Sequence, residues 1–455
     1  MSELTRRAFI ARSSVAAGSL ALAGVGTAGC TSSDGDDRGG DGAAGAPDAA
    51  AGEARGDDFD PGDWASVRDQ FPLTGDVAQF SAWVLAAHPR PVAAAIERHR
   101  TGLDDHTHAY LAETEVDAET AVAAAAAEYL GGQPGEVALT DSTTMGLGLL
   151  YGGLRIAPGH QVLTTEHDFY STHQALGLRA ARDGVTVERV RIYDDPAAAT
   201  ADEVVARLMD GVTPATRVVA VTWVHSVTGV KLPVRAIADA LASANEGRAA
   251  EDRALLCVDG VHGLGVEDAA VGDLGCDFLV SGTHKWLFGP RGTGIIWGRA
   301  EAWGQVEPTI PAFEPGSFGE WRNDLPAQPM SGVRMTPGGY HSFEHRWALA
   351  EAFRFHLDIG KDRVAARTHE QATRLKEGLA ENDGVTLVTP AAEDMSSGMV
   401  CFDVDGEEPG AVVRRLNEAG FDASITPYRE EHVRVGPSVV TSPDEVDELI
   451  DAVRS

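Results

Sequence analysis

Lys285 carries the strongest chemical signal in the chain. It stands in Ser281-Gly282-Thr283-His284-Lys285-Trp286-Leu287-Phe288-Gly289, just past an apolar strand and ahead of a glycine-rich turn. Lysine is scarce here, with only Lys231, Lys285, Lys361 and Lys376 available. A partly buried amine loses its preference for the charged form and becomes a nucleophile toward carbonyls. For one lysine taken alone, an ammonium capping a loop carbonyl is the commoner arrangement. A second group lies upstream, where Asp259 closes the apolar run Leu255-Leu256-Cys257-Val258. In a parallel sheet that strand end is where ligands bind, and the interval from Asp259 to Lys285 allows one excursion and the next strand back to the same edge. By itself Asp259 also reads as a turn cap. Two further pieces sit upstream. Thr140-Asp141-Ser142-Thr143-Thr144 is a hydroxyl-rich turn opening a helix, a place that suits a phosphate or merely a cap. His167 follows another strand, where its ring could stack on a flat ligand or serve the structure alone.

Together these four pieces describe a ligand that is a phosphorylated, aromatic, pyridine-bearing aldehyde. A Schiff-base lysine with a carboxylate partner for the pyridinium nitrogen is how proteins hold pyridoxal 5'-phosphate. On Asp259, His262, His284 and Lys285, the chain from about residue 79 to 453 resembles the class V aminotransferase family of fold-type I pyridoxal-phosphate enzymes. The resemblance is greatest to the isopenicillin-N-epimerase-like branch and more distant to cysteine desulfurases. It implies that Lys285 forms the imine with the cofactor and acts as acid and base at Cα, while Asp259 keeps the pyridine nitrogen protonated. It further implies that His262 hydrogen-bonds the ring hydroxyl, His167 stacks on the ring, and Ser142, Thr143 and His284 hold the phosphate. Thr336 resembles the residue that reaches a phosphate across a dimer interface, which implies a homodimer. Arg434 in Val433-Arg434-Val435 matches the arginine that clamps a substrate carboxylate. Two departures stand out. Ser226 occupies a position beside the ring hydroxyl where many relatives have asparagine, and the loop from 421 to 434 contains no cysteine, the thiol that persulfide-forming desulfurases use.

These residues need a scaffold. From about 118 onward helical and strand patterns alternate, with strands expected at 136–140, 161–165, 186–192, 217–223, 254–258, 277–281 and 294–297. Nearly continuous apolar strands between helices indicate an α/β architecture with a mostly parallel sheet. After about 310 an irregular Pro/Gly-rich stretch (314–339) precedes a long helical region (341–382) and an α+β ending. The expected organisation is a large cofactor-binding domain at 61–310 and a smaller C-terminal domain at 311–455.

Positions 1–30 carry a twin-arginine pattern, Arg6-Arg7, followed by a small-residue apolar run ending at Cys30. That layout reads as an export signal, with Cys30 a lipidation candidate and a plain cleaved signal the alternative. Residues 31–60 read as a flexible linker. The expected location is extracytoplasmic, with a lipid anchor if Cys30 is modified. A net charge of −32 argues against nucleic-acid partners. Four cysteines without CxxC spacing argue against a disulfide framework or zinc site, and no metal is expected.

The function expected is pyridoxal-phosphate chemistry at the Cα of an amino acid or small peptide-like amine, of epimerase or aminotransferase type. The alternatives are a desulfurase-like C–S lyase on the same fold and a non-catalytic exported binding lipoprotein. A nicotinamide dehydrogenase ranks last, because no GxGxxG turn follows the first strand.

Overall fold

A computed structural model describes residues 59–454. The export pattern, Cys30 and residues 31–58 of the linker lie outside the described residues. The seven strands expected from the alternation form one sheet: β1 (Val137–Thr140), β2 (Gln161–Thr165), β3 (Thr186–Val190), β4 (Thr216–Thr222), β5 (Leu255–Asp259), β6 (Phe278–Gly282) and β7 (Gly294–Gly298). Their spatial order is β1-β7-β6-β5-β4-β2-β3. β3, β2, β4, β5 and β6 run parallel, and β7 is antiparallel to both of its neighbours. β1 therefore points the same way as the parallel strands, and six strand ends share one edge.

The apolar runs are continuous because both faces of the sheet are covered. Val219, Val221, Leu256 and Val258 pack into one core layer. Their chain neighbours Val218, Ala220, Leu255 and Cys257 pack into the layer on the opposite face. This is the two-residue period of a strand read on both sides. Cys257 and Cys401 are free and fully buried, as their apolar flanks suggested.

A second, antiparallel sheet comprises β8 (Val385–Leu387), β9 (Val400–Val404), β10 (Ser424–Ile425) and β11 (Val433–Val435), in the order β10-β11-β9-β8. Phe402, Val433 and Val435 cluster with Leu375, Leu416 and Leu449 from three helices. Those helices are Lys361–Ala380, Pro409–Glu418 and Pro443–Arg454.

Three expectations need correction. The helical and strand alternation expected from about 118 in fact opens inside a helix running Arg90–Leu130, with non-helical torsions at His106 and a left-handed Gly131 closing it. Residues 104–120 are rich in Asp, Glu, His and Thr and offer no apolar stripe to read. Tertiary packing sustains this helix: His99 meets Trp347 at 5.3 Å and Tyr129 meets Phe353 at 5.5 Å on the helix Phe343–Ile359. The long helical region at 341–382 is two helices divided at Gly360, whose φ of 96° no helix accommodates. The stretch 314–339 contains helices Pro315–Asn323 and Gly332–Met335, capped by the Glu314 and Ser331 side chains.

The turn after β4 depends on one glycine. Gly229 has φ 73° and donates its N–H to His225 O at 2.7 Å. A Cβ there would lie 2.5 Å from Thr389 Oγ1 and 2.8 Å from Met399 O. Gly229→Ala is therefore expected to lower stability by roughly 2–4 kcal/mol, from positive-φ strain plus overpacking, read as a reduced urea midpoint at unchanged slope.

Candidate active site

The turn bearing Lys285 is held from several sides. Thr283 Oγ1 and Thr293 Oγ1 are 2.6 Å apart, Gly289 N donates to Thr283 O, and Phe288 N donates to Lys285 O, the last two at 2.8 Å. Phe288 has φ 56°, an uncommon conformation for a bulky residue, so the surroundings must enforce it. They do so through an apolar platform in which Trp286 and Phe288 pack with Phe71, Trp83, Val266, Phe355 and Met399. The strained turn directs Lys285 back over the carboxyl edge of the sheet.

Asp259 is the last residue of β5 and is buried. Its Oδ1 accepts one hydrogen bond, from Val261 N at 3.1 Å. Burial pushes its carboxyl upward, against the pull of that N–H and of Lys285. Burial likewise lowers the Lys285 amine, Asp259 opposes that shift, and Arg434 adds to it. Asp259 and Lys285 sense each other without forming an ion pair. Lys285 Nζ lies 3.4 Å from His262 Nε2. Trp286 Nε1 lies 3.4 Å from His262 Nδ1 and can only donate to it. Burial lowers His262 far below the ordinary imidazole range, so the ring is neutral and its proton sits on Nε2.

His167 lies on the loop after β2 and Ser226 on the loop after β4. Asp168 fastens the first loop: its carboxylate accepts from Thr164 Oγ1, Thr165 N, Thr165 Oγ1 and Thr222 N at 2.7–2.9 Å, joining the ends of β2 and β4. Ser142 caps the helix Thr143–Gly153 by accepting from Met145 N at 3.1 Å. Thr143 Oγ1 accepts from Gly282 N at 2.7 Å. Each of these hydroxyls thus has its own O–H free to donate, beside helix-start N–H groups that have no intrahelical partner. His284 Nδ1 is buried without a partner, and so is His167 Nε2.

Arg434 enters from β11 of the second sheet. Only 6% exposed, its guanidinium stacks 3.9 Å over Trp83, donates to Ser226 O at 2.9 Å and contacts Ser424 Oγ at 3.4 Å. Among the described residues no carboxylate pairs with it, and burial depresses its pKa. Thr336 stands apart from this group. Its hydroxyl accepts from Leu139 N at 3.0 Å, capping the outer edge of β1.

The sequence reading overlooked several neighbours. Tyr428 Oη lies 2.6 Å from Ser226 Oγ, and Tyr193 stacks on His167. Trp83 and His225 were likewise not singled out. Each lies in a loop or turn where no periodicity marks it, although the aromatic-histidine run Trp223-Val224-His225 directly after β4 was an available signal.

The set as a whole fits pyridoxal phosphate. A buried carboxylate and a buried amine stand unpaired, two imidazole nitrogens are orphaned, and hydroxyls turn outward at a helix start. Gly282 and Gly294 keep the floor open: a Cβ on either would lie about 3 Å from Thr143 Oγ1 or Thr140 Oγ1.

This fold and site define a pyridoxal-phosphate enzyme of the fold-type I architecture. Over residues 86–424 the chain matches the family described as Aminotransferase class-V, and the protein belongs to that family. It is similar to isopenicillin N epimerase of Streptomyces clavuligerus, 28% identical over 340 residues that span 72% of this chain and 81% of the relative. It is also similar to a probable cysteine desulfurase of Halobacterium salinarum, 26% identical over 86% of this chain and 96% of that one. Among solved structures, the cystine C–S lyase C-DES in complex with cysteine persulfide shares the fold, with a TM-score of 0.75 at 21% identity over 85% of this chain and 99% of that chain. A C-DES variant with glycine covalently linked to its PLP cofactor gives a TM-score of 0.76 at 20% identity, over 85% of this chain and 99% of that chain. The protein is a pyridoxal-phosphate-dependent class V enzyme.

A lowered amine pKa supplies the free base at lower pH. Adding pyridoxal phosphate to cofactor-free protein should therefore give an imine-formation rate that rises with pH and levels off well below about 10.4, the ordinary lysine value. Stopped-flow absorbance checks this, and a rate still climbing above that pH would contradict the lowered amine.

Proposed function

We propose that the protein acts at the Cα of an amino acid or small peptide-like amine, as an epimerase or aminotransferase. Arg434 carries this reading: a buried guanidinium without an acid partner is a preformed receptor for a substrate carboxylate. One hydrogen bond ties it from the second sheet to the Ser226 loop and aims it at the edge where Lys285 and Asp259 meet.

When bound, pyridoxal phosphate supplies an electron-withdrawing ring that acidifies the Cα–H of an amino acid joined to it. Asp259 holds a proton at the ring nitrogen, and its buried carboxylate gains the cationic partner it lacks. His262 and Ser226 stand beside the ring hydroxyl, and His167 covers the ring face. Ser142, Thr143 and His284 take the phosphate. Thr336 serves the phosphate of a second subunit in a homodimer. Arg434 fixes the substrate carboxylate so that Cα faces Lys285. Lys285, whose amine burial lowers to about 8, takes the proton from Cα and returns it. Trp83 and Trp286 exclude water from this proton.

Export by the twin-arginine pattern, with Cys30 as the point of lipid attachment, belongs to the same proposal. A substrate-binding lipoprotein without turnover would have no use for a buried amine beside an unpaired carboxylate.

A C–S lyase reaction is the second reading, favoured by the desulfurase-named relative that matches across 96% of its length. Within that reading, simple lysis is preferred to persulfide formation on the protein. Cys401 is the thiol paired in register with Arg434, but it is fully buried and burial pushes it up to about 12.

Lys285→Ala should abolish both borohydride labelling of the peptide bearing residue 285 and turnover. Retention of either sinks the assignment. Arg434→Met should raise KM for amino acids roughly 10- to 100-fold while leaving cofactor absorbance unchanged. Turnover in deuterated water separates the fates: deuterium at an inverted Cα without keto acid indicates epimerisation, keto acid alone indicates transfer, and sulfide with pyruvate from cysteine indicates lysis.

A further inference from the structure

The loops after β2, β3 and β4 build a layer behind His167 that the proposed chemistry leaves unused. The ring of Tyr193, just beyond the end of β3, lies 3.9 Å from the His167 ring at an interplanar angle of 16°. Tyr193 is 1% exposed, whereas His167 is half-buried. The tyrosine hydroxyl is fixed at two points, 2.8 Å from His225 Nδ1 and 3.0 Å from Thr228 Oγ1. His225 in turn sits with Nε2 4.0 Å from Asp168 Oδ1, the carboxylate that joins the ends of β2 and β4. The other ring near His167 is His225 itself, at 5.5 Å and tilted by 32°, which is not a stack. One face of the imidazole is thus plated by Tyr193.

We propose that Tyr193 is a positioning residue for the cofactor: a rear aromatic plate, locked through its hydroxyl by His225 and Thr228, that holds the His167 ring flat for the pyridine ring to stack on. The inference rests on the assignment of His167 to the ring face. An imidazole on a loop can rotate about two torsions, and a ligand that stacks on it must bear the cost of stopping that rotation. A plate on the rear face stops it in advance. The hydroxyl anchors keep the plate from tilting, so the order of the loop after β4, which carries His225 and Thr228, passes through Tyr193 to His167. Burial and the neighbouring His225 also hold His167 down at about 3, which keeps the ring uncharged against the plate.

The test measures the affinity of cofactor-free protein for pyridoxal phosphate by equilibrium dialysis, together with the induced circular dichroism of the bound cofactor. Tyr193→Leu is expected to weaken affinity about three- to tenfold, the range of one aromatic stack, and to reduce the dichroic band. Tyr193→Phe keeps the plate but loses both hydroxyl anchors, so its affinity should fall between wild type and the leucine variant. In the His167→Leu background, Tyr193→Leu should add less than about a twofold further loss, because the plate acts only through His167. Should the leucine variant not fold, Tyr193→Met, which also lacks a ring face, replaces it in the same cycle. Additive losses in the double variant would overturn the proposal, and so would a phenylalanine variant as weak as leucine. A wild-type protein that yields no borohydride adduct at Lys285 would instead sink the reading of the site on which this rests.

Discussion

Ionisable groups that are buried without being paired are the constraint around which this molecule is built. Asp259, Lys285 and Arg434 are all removed from water, yet no two of them form an ion pair. Burying a charge without a partner costs several kcal/mol, so a fold selected for stability alone would neutralise or expose such groups. Elsewhere the same chain does just that: Glu267 is largely withdrawn from water, and Lys231 and His369 lie 3.0 and 2.9 Å from it. The contrast separates a satisfied structural cluster from a set of groups waiting for a ligand. The ring nitrogen, the aldehyde carbon and a substrate carboxylate are the complements those three groups lack, so binding relieves the energy that folding stores.

Storage of that kind requires rigid surroundings. The Lys285 turn bears a positive-φ phenylalanine and is clamped over an apolar platform drawn from the N-terminal segment, the turn itself, the helix Phe343–Ile359 and β9. Arg434 is held flat by Trp83, which belongs to the same platform. One apolar cluster therefore supports both the group that reacts at Cα and the group that fixes the carboxylate. Their separation is set by packing and not by the reach of flexible side chains. This is how an enzyme limits the reorganisation its substrate must drive.

The second sheet brings Arg434 and Tyr428 to the Ser226 loop, so the site is completed by chain far beyond Lys285 in sequence. Its relatives carry the names of an epimerase and of desulfurases on this one scaffold. In this chain a tyrosine docked on Ser226, in a loop without a thiol, lines the side of the site that the second sheet closes.

The order of strands and helices, the placement of Lys285, Asp259 and His167 at strand ends, and the cofactor their types imply were legible in the sequence. Each depends on short-range signals: apolar runs, a glycine-rich turn, a polar residue directly after a strand. Tertiary structure alone decided the rest. No local pattern says that β7 inserts between β1 and β6, that β2 rather than β3 adjoins β4, or that Tyr193 stands behind His167. Nor did the polar middle of the helix Arg90–Leu130 announce itself, since its helicity is underwritten by aromatic contacts with the sequence-distant helix Phe343–Ile359. The Thr336 hydroxyl, readable only as one member of a motif, is found capping the edge of β1. Periodicity reports how one segment meets a surface, whereas which surfaces meet is settled by the packing energy of the whole chain.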